Sequence, residues 1–237
     1  MKPRAVIFDV YGTLLQVGSP PPDAEARWRR LHEEFLGTPP PLGRLDFGRS
    51  SAEIIQRRHA AARAQGIAYP EIHWPSIVAE ILPGFRRLAP PQQADFLFRQ
   101  MQTGHTVNLA HGAGEALSWL EAERIRLGIA SNAQAYTLRE LQDALVSAGL
   151  SLRSFEPELR FWSFEHGFSK PDPHVFRILT ARLEADGIAP GETLMVGDHA
   201  ENDIGPARLA GWQTWHLSIP GSVGDGGWME LLNRWQS

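Results

Sequence analysis

Aspartates stand in this chain where apolar strands would end. Ala5-Val6-Ile7-Phe8 is a short apolar run that stops at Asp9 and turns through Tyr11-Gly12-Thr13. Thr193-Leu194-Met195-Val196 stops at Gly197-Asp198, and Asp203 follows closely. Arg126 to Ala130 stops at Ser131-Asn132, while Lys170 leads Pro171-Asp172-Pro173. A carboxylate at the end of a buried strand is costly unless a cation or hydrogen-bond donors compensate. A carboxylate in a cleft can also act as a nucleophile, forming a covalent intermediate that water later hydrolyses. Should Asp9, Asp198 and Asp203 converge, their repulsion would force protonation unless a hard divalent ion with oxygen ligands relieved it. Lys170 could balance the charge of such a centre and of a transferring group. Taken alone, Lys170 also fits a surface Lys-Pro turn, Ser131 a helix N-cap and Asp9 an ordinary turn residue.

Convergence depends on the elements that carry these residues. Beyond the first strand, Gly18-Ser19-Pro20-Pro21-Pro22 makes a stiff connector. Asp23 can then cap a helix on which Trp28, Leu31 and Phe35 recur, with Gly37 at its end. Further helices are expected near Ser50 to Gln65, Trp74 to Leu82 and Pro90 to Gln102, and residues 16–105 show no convincing strand. After His105 the pattern changes. Gly114 to Glu123, Thr137 to Ala148, Pro173 to Asp186 and Glu201 to Ala210 read as helices. Arg126 to Ala130, Leu159 to Phe164, Thr193 to Gly197 and Trp212 to Leu217 read as strands. Alternating strands and helices imply an α/β fold with a Rossmann-like parallel sheet. Residues 1–15 and 106–237 would form this core, split after its first strand by an all-helical insert over 16–105. Ligands of open parallel sheets bind beyond the carboxyl ends of the strands, which is where the residues above fall. Gly221 to Gly227 reads as a loop.

Composition narrows the partners. The chain has 237 residues, 43% of them hydrophobic, with a formal net charge of -4 and no cysteine. That suits a globular protein of one large or two modest domains. Nothing in the charge draws it to nucleic acid or an anionic membrane; the arginines at 27, 29, 30, 57 and 58 fit solvated helix faces. Disulfides and thiolate chemistry are excluded. No run approaches the ~18 apolar residues of a membrane span. The N-terminus reads as a core strand rather than a signal peptide, so a cytoplasmic location is expected. A small-molecule substrate is the expected partner, with the chain a monomer or homodimer.

The motifs together resemble the haloacid dehalogenase (HAD) superfamily of aspartate-nucleophile hydrolases. Its signatures stand in order: Asp-x-x-Gly-Thr at Asp9 to Thr13, a strand-end hydroxyl at Ser131, Lys170 in Lys-Pro-Asp-Pro, and Gly-Asp-x-x-x-x-Asp at Gly197 to Asp203. The helical insert falls where this superfamily places a mobile cap. The resemblance implies that Asp9 is the nucleophile and that Thr13 orients its loop. Lys170 would balance charge, with Ser131 and the backbone N–H of Asn132 holding phosphoryl oxygens. Mg²⁺ would bind Asp9, Asp198, Asp203 and the backbone carbonyl of Tyr11.

Tyr11 departs from the phosphatase pattern. Family phosphatases carry there a second aspartate that protonates the leaving alkoxide, help worth about 10²–10⁴-fold. Tyrosine, with an unperturbed pKa near ~10, is a poor base near neutrality. Asp-x-Tyr-Gly-Thr is typical of the metal-independent 2-haloacid dehalogenases, whose halide leaving group needs no proton. Those enzymes lack the Gly-Asp that this chain keeps at Asp198, and they need an arginine on the cap for the substrate carboxylate. Arg27, Arg29, Arg30, Arg44 and Arg49 are in range. An Mg²⁺-dependent phosphatase of small phosphate esters is the favoured expectation, and a dehalogenase is the alternative. A binding or regulatory protein that has lost turnover is a third reading. Trp28, Phe35, Tyr69, Trp74 and Phe85 are expected in the core of the insert. His199 is expected to flank the turn after Asp198, and His105 and His111 have no assigned role. Trp212, Trp215, Trp228 and Trp235 look exposed.

Overall fold

The structure, a computed structural model, describes residues 2–218 and 224–236. The elements run β1 (Ala5–Phe8), β2 (Leu15–Gly18), α1 (Ala24–Leu36), α2 (Arg44–Ala64), α3 (Trp74–Ile81), α4 (Pro90–Met101) and β3 (Thr106–Leu109). They continue through α5 (Ala113–Ala122), β4 (Arg126–Ser131), α6 (Ala135–Ser147), β5 (Phe155–Trp162), α7 (Ser163–His166) and α8 (Pro173–Ala185). The chain closes with β6 (Thr193–Gly197), α9 (Gly205–Leu209), β7 (Gln213–His216) and α10 (Trp228–Gln236).

Five strands form one sheet in the order β5-β4-β1-β6-β7, and each neighbouring pair is parallel. β1 lies at the centre because Ala5 to Phe8 are all fully buried and can be covered on both faces. Alternation along the strand sends successive side chains to opposite layers. Val6 and Phe8 join Leu117, Leu120, Leu141, Leu145 and Leu231 on one face. Ala5 and Ile7 join Val175, Phe176, Leu179 and Trp212 on the other. The chain leaves β1 for β4 on one side and later supplies β6 on the other, so the carboxyl end of β1 is the switch point where such sheets bind ligands.

The segment between β2 and β3 contains α1 to α4 and builds an apolar cluster of its own. Trp28, Leu31, Phe47, Val78, Phe85 and Phe96 form it, with Phe35 and Trp74 packed alongside. Tyr69 is exposed instead. Gly37 ends α1 in the left-handed conformation expected of it. Asp23 makes no side-chain cap and pairs with Arg27 and Arg30.

Several expectations are corrected. Leu15–Gly18 is a strand, pairing antiparallel with Thr106–Leu109. Each strand is four residues long and mostly exposed, so its alternation is too short to mark a strand in the sequence. β5 begins at Phe155, earlier than expected, because a register jump lies opposite β4. Leu127 faces Phe155 and Ile129 faces Arg160, and the looped-out residues include Pro157, which has no N–H to give to the ladder. The helix expected over Glu201 to Ala210 is a wide π turn, Ala200–Ile204, leading into α9. Trp212, Trp215 and Trp228 are buried, and Trp235 stacks on Trp119. The loop expected at Gly221 to Gly227 lies partly outside the described residues. Among those described, no helix is long and apolar enough to cross a membrane.

Candidate active site

Asp9 leaves the end of β1 with its amide bonded to Val196 O at 3.0 Å, so β6 fixes the direction of the turn. Asp198 follows β6, and the wide turn after it carries Asp203 back to the same place. His199 O accepts both Asp203 N at 2.9 Å and Ile204 N at 3.4 Å. The i to i−5 step adds a residue to the turn, a distortion frequent at functional sites. Oxygen atoms of Asp9, Asp198 and Asp203 all lie within 4.8 Å of one another.

Two glycines permit this approach. A Cβ on Gly12 would overlap the Asp198 carboxylate, and one on Gly197 would overlap Asp203. Gly12 also holds φ at +77°, which L side chains rarely adopt.

Lys170 is buried, with Nζ at 3.0 Å from Asp9 Oδ1 and 2.5 Å from Asp203 Oδ1. Its main chain is fixed by Asn132, whose Nδ2 donates to Lys170 O at 2.9 Å and whose Oδ1 accepts Lys170 N at 2.7 Å. Burial disfavours the ammonium, yet the Asp203 and Asp9 carboxylates outweigh it and hold Lys170 above its ordinary pKa. Asp203 is fully buried. Burial pushes its pKa up to about 6 against the opposing charge of Lys170. Burial first and the Asp9 charge second also raise Asp198, while Thr13 opposes the rise by donating from Oγ1 to Asp198 Oδ1 at 3.1 Å. The hydroxyl of Thr13 therefore steadies Asp198, across the turn from its own loop. The backbone amide of His199 donates to Asp203 Oδ2 at 3.1 Å, and the residue itself is exposed.

Ser131 ends β4, the strand beside β1. Its Oγ is buried and has no hydrogen-bond partner among the described residues. Such an orphan is costly unless something fills the space, and it stands on the strand beside β1, which carries Asp9 at its end. The donor set of the cluster is all carboxylate oxygen, the chemistry a hard cation such as Mg²⁺ requires. Both observations fit a site for an oxyanion and a divalent ion.

Tyr11 is placed differently. Its hydroxyl donates to Glu140 Oε2 and lies 3.1 Å from Thr137 Oγ1, both on α6. Burial, then the charge of Glu140, push the phenol far above its ordinary pKa, so it is an even weaker acid than its type suggests. His105 Nε2 bonds the other oxygen of Glu140 at 2.9 Å. Neither Glu140 nor the role of His105 was legible beforehand, because a single Glu on an amphipathic helix gives no sign of which side it faces.

Two further residues join the insert to the core. The Glu71 carboxylate accepts from Ser163 Oγ and, at 3.0 Å, from Gln134 Nε2. Backbone bonds from Glu71 N to Gly167 O at 3.0 Å and from Ser169 N to Tyr69 O at 2.9 Å run beside them. These clasps sit immediately before Lys170 and just after Asn132.

Comparisons with known proteins point to one family. Residues 3–211 match the family of haloacid dehalogenase-like hydrolases. A stretch of 91 residues, 38% of this chain, is 42% identical to the phosphoserine phosphatase of Thermus thermophilus and covers 34% of that protein's length. Among solved structures, the fold resembles a 2-haloacid dehalogenase from Pseudomonas syringae (TM-score 0.61, 21% identity, 99% of this chain and 100% of that one). It also resembles a HAD phosphatase from Thermococcus onnurineus (0.57, 21%, 99% and 97%). A third is a HAD family enzyme from Bacteroides thetaiotaomicron in complex with magnesium and inorganic phosphate (0.56, 16%, 96% and 98%). With the family match covering most of its length and the aspartates of its motifs assembled at one sheet edge, the chain belongs to the haloacid dehalogenase-like hydrolases.

Proposed function

We propose that this hydrolase is an Mg²⁺-dependent phosphatase of small phosphate esters with Asp9 as its nucleophile. The observation that carries this reading is a charge imbalance. Three carboxylates meet within 4.8 Å, while one ammonium, Lys170, pairs with two of them. Asp198 is left with a hydroxyl partner and a raised pKa. Asp9, Asp198, Asp203 and the backbone carbonyl of Tyr11 would hold the ion. When bound, Mg²⁺ supplies positive charge to the phosphoryl oxygens and relieves the carboxylate repulsion.

The chain's own residues do the rest. Asp9 attacks phosphorus through one carboxylate oxygen, the ester oxygen departs, and water then cleaves the aspartyl phosphate to phosphate and free Asp9. Lys170 neutralises Asp9 and the transferring group. The free Oγ of Ser131 and the backbone N–H of Asn132 hold phosphoryl oxygens. The helices between β2 and β3 serve as a lid that keeps bulk water out. The lid and core divide the chain at 16–105 against 1–15 and 106–237, with the β2–β3 ribbon at the joint.

Dehalogenation is favoured by one observation, Tyr11 at the position of the usual acid. A second observation weighs against it. Arg27 and Arg30 pair with Asp23, Arg49 pairs with Asp46, and Arg44 Nε lies 3.5 Å from Glu25, so four of the five candidate arginines face carboxylates of the insert, and the exposed Arg29 alone stays without an ion pair among the described residues. The two readings separate in one assay. Release of phosphate from an aryl phosphate that requires Mg²⁺, stops with excess chelator and is lost in Asp9→Asn supports the phosphatase. Chloride release from a 2-haloacid without metal, with no phosphate release, overturns it.

A further inference from the structure

Glu140 is a buried carboxylate that this mechanism does not use. Its side chain is wholly inaccessible, and it sits on α6 behind the nucleophile loop. A buried carboxylate is retained at a cost of several kcal/mol unless it is well bonded. Each of its oxygens has a partner. Oε2 accepts from the Tyr11 hydroxyl, and Oε1 meets His105 Nε2 at 2.9 Å. Thr137, one turn earlier on the same face of α6, holds the Tyr11 oxygen at 3.1 Å, and the Tyr11 and His105 rings meet edge to face with centroids 6.0 Å apart. His105 immediately precedes β3, the strand by which the insert returns to the core. Three parts of the molecule thus meet at one carboxylate: the nucleophile loop, the return connector and a core helix. Arg139, the neighbouring cation on α6, is turned to Asp95 at 2.7 Å.

We propose that Glu140 is a positioning residue that fixes the Tyr11 side chain against α6 and, through His105, ties the return connector of the insert to the nucleophile loop. This rests on the hydrolase reading above. With the phenol committed to Glu140, the loop carries no group free to protonate a departing alkoxide, and the substrate must bring a leaving group that departs unaided. The substrate class that follows is aryl and acyl phosphates rather than simple alkyl esters.

The chain has three tyrosines, which makes Tyr11 observable without turnover. Protein grown with 3-fluorotyrosine gives one fluorine resonance per tyrosine, and Tyr11→Phe identifies that of Tyr11. In Glu140→Ala the Tyr11 resonance should move and broaden, while Glu140→Gln, which keeps a carbonyl acceptor for the phenol and a group for His105, should leave it near its original position. In parallel, kcat for an aryl phosphate should fall about tenfold or more in Glu140→Ala with KM little changed, as expected of a misplaced catalytic loop. Glu140→Gln should restore most of it, and adding His105→Ala to Glu140→Ala should cost little more. A Tyr11 resonance unmoved in folded Glu140→Ala, or kcat unchanged there with only the melting temperature lowered, overturns the proposal and leaves the phosphatase reading standing. If wild type hydrolyses no phosphate ester but the Tyr11 resonance responds as described, the clamp stands and the phosphatase reading fails.

Discussion

Gly12 and Asp198 occupy adjoining space so closely that a methyl group on the first would overlap the carboxylate of the second. One residue belongs to the loop that follows Asp9 and the other to the turn after β6, the neighbouring strand. Their contact sets the distance between the two halves of the centre.

Gly12→Ala should therefore damage the centre more than its size suggests. The left-handed backbone costs a non-glycine residue about 1–2 kcal/mol, and Asp198 must also move. A displacement near 1 Å at a reacting centre costs about 10²-fold in rate. The expected result is a folded protein with Mg²⁺-dependent aryl phosphatase activity down by about that factor. A variant with unaltered kcat would show that Asp198 has room to shift without consequence.

The legible part of this site is the part carried by strand ends. Asp9, Ser131 and Asp198 could be placed because β1, β4 and β6 are buried runs whose ends are sharp, and a parallel sheet brings such ends to one edge. Lys170 and Asp203 lie on irregular segments and could be located by motif alone; their ion pair is a product of the wide turn at Ala200–Ile204. What escaped were groups whose partners are far along the chain. Glu140 meets Tyr11 and His105, and Trp228 meets Thr13. No local pattern marks such meetings. The β2–β3 ribbon escaped for another reason: each strand is four residues long and mostly exposed, too short for its alternation to stand out.

The raised pKa of Asp203 gives metal-free stability a definite sign. Below about pH 4 the residue is protonated folded or unfolded and contributes nothing. Between its ordinary value of 3.8 and its folded value of about 6, the folded state holds the extra proton, so stability falls as pH rises. The penalty is complete above about pH 6, and Asp198, also raised, acts in the same direction. Unfolding free energies of wild type and Asp203→Asn, measured in chelator from pH 4 to 7, should diverge against wild type across this window. Saturating Mg²⁺ should reduce the divergence, since a bound cation favours the ionised carboxylate. A difference independent of pH in chelator would show that Lys170 fully compensates Asp203.

Trp228 links α10 to the loop that follows Asp9. It is buried, its ring lies 5.8 Å from that of Phe8, and its Nε1 donates to Thr13 O at 3.3 Å. Trp228→Ala should cost about 3–5 kcal/mol of stability, the usual cost of emptying an aromatic core position. Trp228→Phe keeps most of the volume and removes the donor, and should lose about 1 kcal/mol. Chemical denaturation of both variants checks the ranking; equal losses would mean that the hydrogen bond to Thr13, not the packing, fastens this helix.

Glu71 offers a direct measure of how firmly the insert is held on the core. Its carboxylate takes hydrogen bonds from Ser163 and Gln134, and its own amide reaches Gly167 O. Hydrogen bonds to a charged group are worth about 1.5–3 kcal/mol each. In Glu71→Ala the backbone bonds to Gly167 and Ser169 remain, but the side-chain clasp is gone, so local opening should become about ten- to a hundredfold more frequent. Hydrogen exchange of the amides of Glu71, Ser169 and Trp74, which donates to Gln134 Oε1 at 3.3 Å, should accelerate by that factor while amides of β1 do not change. Glu71→Gln keeps an acceptor and should lie between. Uniform acceleration across β1 as well would mean that Glu71 supports the whole fold, and no acceleration anywhere would mean that the backbone bridge holds the insert by itself.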